Sequence, residues 1–294
     1  MEKILVIGST VTDVNLFMDH LPAAEEDVIP YRQKMTLGGC AYNVSNVLRI
    51  FGVPYTLFSP VGTGVYGRFV RDHLQRLDIV PAIETLEENG CCYCLNDAQG
   101  NRSFMSLHGA EYRFKKEWLD RIDTKQYGMA YVCGLELEEP CNDVIIAFLQ
   151  ENPGLKVIYA PGPRVGYIPS ERSRQMLEIC SYLHCNAREL RVLTGEENVP
   201  EGLKRLPERI SAVVTDGDKD VCIFEKGIIR TEPAVRAAVV SGTGAGDAHC
   251  GAVMAMLAKG ENLTEAVRMA NKVGARAVQS EESAVSEKDL EDLL

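Results

Sequence analysis

Short apolar runs that alternate with helical stretches leave this sequence few folds to choose from. Residues 4–7, 129–133, 157–160, 182–185 and 212–215 read as strands. Helix-like stretches lie between most of them. Between residues 43 and 51, Val44, Val47, Leu48 and Phe51 share one face, and Gly52 stops the pattern. Strands alternating with helices imply an α/β fold with a parallel sheet covered on both faces.

Two segments break that rhythm, at about residues 14–37 and 82–110. The second contains Cys92-Tyr93-Cys94-Leu95, a polar stretch running through Gly100, and then Ser103-Phe104-Met105-Ser106-Leu107. Two strand-like runs around a polar, glycine-containing turn predict a β-hairpin. A small β-sheet projecting from the α/β body is therefore expected, placed as a flap that could cover a substrate and exclude water.

Composition narrows the class further. With 294 residues, 46% of them hydrophobic and 25% charged, the chain can build one large α/β domain or two ordinary ones. A net charge of −11 argues against nucleic acid as a partner, because phosphate contacts need clustered Lys and Arg. A local basic pocket could still hold an anionic substrate. The apolar run at residues 4–7 is too short for a signal peptide, and no segment approaches the about 18 apolar residues of a membrane span, so a cytoplasmic protein without a membrane partner is expected. The ten cysteines include Cys91, Cys92 and Cys94 but no CxxC pairs with zinc-site spacing. They are expected to be reduced and to serve as small apolar side chains.

The stretch with most chemical content is Ser241-Gly242-Thr243-Gly244-Ala245-Gly246-Asp247-Ala248. It follows residues 237–240 (AAVV), which read as a short strand. It precedes a helical pattern carried by Ala248, Ala252 and Met256, which ends at Lys259-Gly260. A glycine-rich turn that opens a helix presents backbone N–H groups with no intrahelical partner, at the positive end of the helix dipole. Such a turn suits phosphoryl oxygens, and glycine lets the backbone approach them closely. Asp247 falls in the first turn, where the helix terminus is expected to keep it ionised, as a proton acceptor must be. The string is not a Walker A loop, which needs Gly-Lys followed by Ser or Thr.

Here the chain resembles the ribokinase/PfkB carbohydrate kinases. Gly244-Ala245-Gly246-Asp247 matches the core of their C-terminal signature, with Thr243 in the variable slot, and Gly38-Gly39-Cys40-Ala41-Tyr42-Asn43 matches their N-terminal Gly-Gly…Asn signature. The two lie in the expected order near the two ends, and the resemblance covers essentially the whole chain. It implies a ribokinase-like fold over residues 1–294, with a central, mainly parallel sheet flanked by helices and a small β-sheet lid at about 14–37 and 82–110. It implies ATP-dependent phosphorylation of a hydroxyl, with Mg²⁺, on an unphosphorylated sugar. A ribonucleoside acceptor is the alternative. A sensor that binds but does not react would lack Asp247 or the glycines, and this chain has both. A homodimer through the lid is a further expectation.

Residue by residue, the resemblance makes Asp247 the catalytic base, with Gly244, Ala245 and Gly246 forming the anion hole. Asp13, Gly38, Gly39, Asn43 and Glu138 would contact the sugar, although Asn43 could instead cap a helix and Glu138 could instead belong to a solvated acidic loop. Asn186-Ala187-Arg188-Glu189 looks like the family's NxxE motif, in which Asn186 and Glu189 organise phosphate and Mg²⁺, the Glu through water. The same string is also a capping-box pattern. Thr215, Gly217, Thr243 and Asn271 would line the nucleotide.

Three departures stand out. Ser241-Gly242 replaces the usual Asp-Thr, which weakens the implied K⁺ activation. Cys40 stands where ribokinase and several sugar-phosphate kinases have Lys, and Gly64 where many members have Asp.

Overall fold

The computed structural model describes residues 2–294. Among the described residues there are fourteen strands: β1 (Lys3–Ile7), β2 (Val11–Phe17), β3 (Arg32–Gly38), β4 (Tyr55–Phe58), β5 (Pro60–Thr63), β6 (Ile83–Glu88), β7 (Cys91–Asn96), β8 (Arg102–Leu107), β9 (Tyr127–Cys133), β10 (Lys156–Ala160), β11 (Tyr182–Asn186), β12 (Ser211–Asp216), β13 (Lys219–Glu225) and β14 (Ile228–Glu232). An eight-stranded sheet runs in the order β14-β13-β12-β11-β10-β9-β1-β4. It is parallel from β12 to β4, and only β13 and β14 run antiparallel. The architecture is α/β with a large, mainly parallel sheet, as the alternating sequence pattern predicts.

The apolar runs are continuous because both faces of the sheet are covered. Within β1, Ile4 and Val6 join one buried cluster with Val44, Val47 and Met254, while Leu5 and Ile7 join another with Ile145 and Leu149. The helix Cys40–Ile50 packs on the helix Ala245–Ala258 at a close crossing. A Cβ on Gly251 would come within 2.9 Å of Val47 Cβ, so a small residue is required there.

The second sheet has four strands in the order β3-β2-β7-β8. Both sequence segments that lack helical periodicity contribute to it. The hairpin forms as predicted, with Cys92 opposite Ser106 and Leu95 opposite Ser103. Its turn is held by Asp97 Oδ1, which accepts from the Gln99 and Asn101 amides, and by Gly100 at φ 86°. β6 leaves this sheet and pairs with β5.

One sequence expectation is overturned. Residues 237–240 form no strand, and the chain reaches the glycine turn as irregular backbone. The Val240 and Ser241 amides donate to the carbonyl of Val278, so a helix end satisfies them instead of a sheet neighbour. Val239 and Val240 remain exposed, which shows that an apolar dipeptide without a partner strand makes no ladder.

Candidate functional site

A cleft of about 1090 Å³ lies between the two sheets. Its floor is the carboxyl ends of β9 to β12, at Cys133, Ala160, Asn186 and Thr215, and its roof is β2, β7 and β8. Open α/β sheets place ligands at these strand ends, because helix N-termini gather there. Three do so here, with N-caps at Gly39, Gly244 and Asn186.

Gly244 adopts φ 77°, and the helix begins at Ala245. Gly244 and Gly246 face the cleft with Thr243, while Ala245 sits between them without lining it. Asp247 occupies the first turn and lines the same wall. Its Oδ2 accepts from Asn43 Nδ2 at 2.9 Å, so the two signature segments meet directly. Asn43 does not cap its helix. Its side chain points across to Asp247, and its Oδ1 is buried with no partner. The ionisation expected for Asp247 is modified. Burial pushes its carboxyl above the usual carboxylate range, and hydrogen bonds from Asn43 and Cys40 oppose this only in part.

Asp13, on β2, lines the same cleft, and its Oδ2 accepts from Ser283 Oγ at 3.0 Å. Burial raises it to about 7 against the Ser283 bond, and the charge of Asp247 adds to the rise. Gly38 does not itself line the cleft. It makes room for Asp13, because a Cβ there would lie 2.1 Å from Asp13 Oδ2. Gly39 does line the cleft, and its φ of 96° with Ser9 O 2.5 Å from an added Cβ admits no side chain.

Asn186 and Glu189 form a reciprocal capping box at the start of Ala187–Thr194, and both face the cleft. The Asn186 amide donates to Glu189 Oε2, and Asn186 Nδ2 donates to Oε1. Burial lifts Glu189 to about 7, and the charge of Asp247 contributes. The motif is therefore a cap and part of the cleft wall at once. Glu136, beneath the floor, is also raised to about 7 by burial. One of its oxygens accepts from the Ser9 amide, and the other has no partner.

Three further expected site residues do not line this cleft. Gly217 sits in the β12–β13 turn at φ 64°, away from the cleft lining that Thr215 joins. Asn271 is buried behind the wall, donating to the Pro233 carbonyl and accepting from His249 Nε2 at 2.9 Å. His249 Nδ1 in turn meets His184 Nε2 at 2.8 Å, and His184 lines the cleft. Burial lowers both rings, His249 to about 4, which keeps them neutral and orders this chain. Glu138 is held by Arg164 through two bonds of 2.7 and 2.8 Å, which engage its carboxylate oxygens.

Two residues that sequence reasoning missed bridge the parts. Arg102, at the start of β8, donates from Nη1 to Thr243 Oγ1 at 2.7 Å and to Ser241 Oγ. It ties the four-stranded sheet to the glycine turn. A basic residue opening the return strand of the hairpin was the available signal. Ser283 lies in an irregular segment beyond the helix Leu263–Ala277, and nothing local marks it.

Comparison with known proteins bears on this geometry. The family described as pfkB family carbohydrate kinase matches residues 1–290. An uncharacterized sugar kinase of Escherichia coli (strain K12) is 28% identical over 94% of this chain and 88% of its own length. The ribokinase of Thermotoga maritima superposes with a TM-score of 0.84 at 22% identity, covering 99% of each chain. A ribokinase from Cryptococcus neoformans var. grubii serotype A, in complex with ADP, superposes with a TM-score of 0.82 at 20% identity over 100% of both chains.

Proposed function

Because the chain belongs to the pfkB family of carbohydrate kinases, we propose that it transfers the γ-phosphoryl group of ATP to the hydroxymethyl group of an unphosphorylated sugar, with Asp247 as the proton acceptor. The observation that carries this reading is the Asn43–Asp247 contact, which holds a carboxylate at a helix N-terminus inside the cleft that Asp13 also lines.

The roles follow from the arrangement. A sugar hydroxyl held by Asp13 and Asn43 approaches Asp247, which takes its proton as the oxygen attacks phosphorus. A base raised toward the working pH is better matched to that transfer than an ordinary carboxylate. Backbone N–H groups of Gly244 to Asp247 stabilise charge on the transferring group. Residues 1–294 then act as one unit, the four-stranded sheet serving as a lid that excludes water. Exposed Met105 and Leu107 on its edge strand are where a second copy would pair. Two cationic side chains line the cleft among the described residues, and both are engaged, Arg164 with Glu138 and Arg102 with Ser241 and Thr243. With Cys40 in place of a lysine, the acceptor end offers no free cation for a phosphorylated sugar.

The donor set fits Mg²⁺. Glu189 is a hard oxygen donor lining the cleft, its carboxyl is raised by burial, and a cation would relieve that cost. Asn186 and Glu189 would hold it through water, and when bound it supplies neutralisation of phosphate charge. An ATP-consumption assay against unphosphorylated sugars and nucleosides tests the whole reading. At least one sugar is expected to be phosphorylated, and EDTA is expected to abolish turnover. Undiminished transfer without metal, or turnover of nucleosides alone, would overturn it.

K⁺ is expected to matter little. The Arg102 guanidinium already brings positive charge to Ser241 and Thr243. Exchanging Na⁺ for K⁺ at constant ionic strength should leave turnover essentially unchanged, and a large increase would show that an ion is needed there as well.

A further inference from the structure

We propose that Asp13, Cys92 and Cys94 form a binding site for a thiophilic divalent cation such as Zn²⁺, at the acceptor end of the cleft. The ligand atoms of these three residues all lie within 4.8 Å of one another. Cys92 and Cys94 are two apart on β7, so their thiols project from the same face of the strand. Asp13 comes from β2, which pairs parallel to β7 with Asp13 opposite Cys92. The sequence spacing conceals the site because its third ligand comes from a distant strand.

The geometry suits a metal before any metal arrives. Tetrahedral zinc with Zn–S bonds of about 2.3 Å sets its sulfurs about 3.8 Å apart. The Cys92 and Cys94 sulfurs are 3.9 Å apart. Each end of the site has an outer partner. Ser283 Oγ donates to Asp13 Oδ2, and Ser106 Oγ lies 3.6 Å from Cys92 Sγ. Such contacts orient ligands and tune their basicity. All three residues line the cleft, so the fourth coordination position opens onto it, the arrangement of an open site and not of a closed structural one. All ten cysteines are unpaired, which leaves both sulfurs available. On binding, both thiols release their protons to solvent, and two thiolates with one carboxylate surround the dication.

The consequence for activity rests on the proposed kinase function. A cation held by Asp13 takes the carboxylate that would hold the sugar, so it should compete with the acceptor and not with ATP. The binding itself does not depend on that reading, and the experiment separates the two.

Full-length protein, stripped with a chelator, is titrated with Co²⁺ in the absence of sugar and nucleotide. One equivalent should bind with thiolate-to-cobalt charge-transfer absorption, and Zn²⁺ should displace it. Cys92→Ser and Cys94→Ser should each weaken binding by at least about 100-fold, above the range for loss of an outer-shell partner. Cys141→Ser, at an exposed thiol outside the cleft, should not. Melting curves check that the variants fold. In the wild-type protein, Zn²⁺ should protect Cys92 and Cys94 from alkylation, as mapped by mass spectrometry, which requires no variant. Absence of the sulfur-to-cobalt band with all thiols reduced, or equal alkylation of both cysteines with and without Zn²⁺, overturns the site. If the protein phosphorylates no acceptor but the titration behaves as described, the kinase reading fails and the metal site stands. In the active enzyme, Zn²⁺ in the presence of excess Mg²⁺ should raise the acceptor KM and leave kcat unchanged.

Discussion

Asp247→Asn is expected to lower the rate of phosphoryl transfer by roughly 10²–10⁴-fold, the range for losing a positioned general base, while the fold and ATP affinity survive. Asn is nearly isosteric, and its amide oxygen can still accept from Asn43 Nδ2, so the contact between the two signature helices is kept. What it lacks is an ionised oxygen for the hydroxyl proton. The expected stability change has a definite sign. Burial raises the folded-state carboxyl above its unfolded value, so its contribution to stability is present below the unfolded pKa and is lost as pH rises through the folded one. At neutral pH the wild type therefore carries a cost that Asn removes, and the variant should melt at or above the wild-type temperature. The same shift places the acid limb of the wild-type rate profile above the ordinary carboxylate range, with activity falling as pH drops through it. Single-turnover phosphorylation, a nucleotide-binding titration and a melting curve decide the matter together. A stable variant with near wild-type turnover would remove Asp247 from the chemistry.

Gly244→Ala should damage both halves of the site. Its φ of 77° lies in the left-handed region, which costs an L-residue about 1–2 kcal/mol. A Cβ there would also lie 1.8 Å from the Ser283 carbonyl oxygen, a backbone atom that cannot rotate away. Either the glycine turn or the Ser283 segment must move. The first carries the N–H groups proposed to meet phosphoryl oxygens, and the second holds Asp13 through Ser283 Oγ. Misplacement of about 1 Å costs on the order of 10²-fold, so kcat/KM should fall at least that far. The melting temperature should fall by several degrees. Gly260→Ala provides the control. It has φ 92° and nothing within 4 Å of the added Cβ, at a helix end outside the cleft lining. It should lose a little stability and keep its kinetics. Equal kinetic losses in the two variants would show that strain alone, without the Ser283 clash, explains the effect.

The most legible parts of the site are those where one short segment does its work through its own backbone. Gly244 needs a positive φ, and Asn186 and Glu189 satisfy each other's amides across a single turn. Both are readable because capping and left-handed turns are local. The surroundings of Asn271 are not legible, for the opposite reason. Its helix was legible from the Asn262 cap, which accepts from the Glu265 amide, but the direction of its side chain depends on His249 and Pro233. Glu138 was likewise visible as an acidic side chain, but its pairing with Arg164 was not.

By itself the sequence determined the alternating elements, the buried parallel sheet and the glycine turn with an acidic residue in its first helical step. Each rests on periodicity or backbone preference within about a dozen residues, which a linear string records. Tertiary structure alone decided that Arg102 meets Ser241 and Thr243, that Ser283 holds Asp13, and that Asp13 stands beside Cys92 and Cys94. It also decided that burial raises Asp247 where the helix terminus alone would keep it ionised. Those facts depend on strand register and on the solvent that packing excludes, and neither is a property of any one segment.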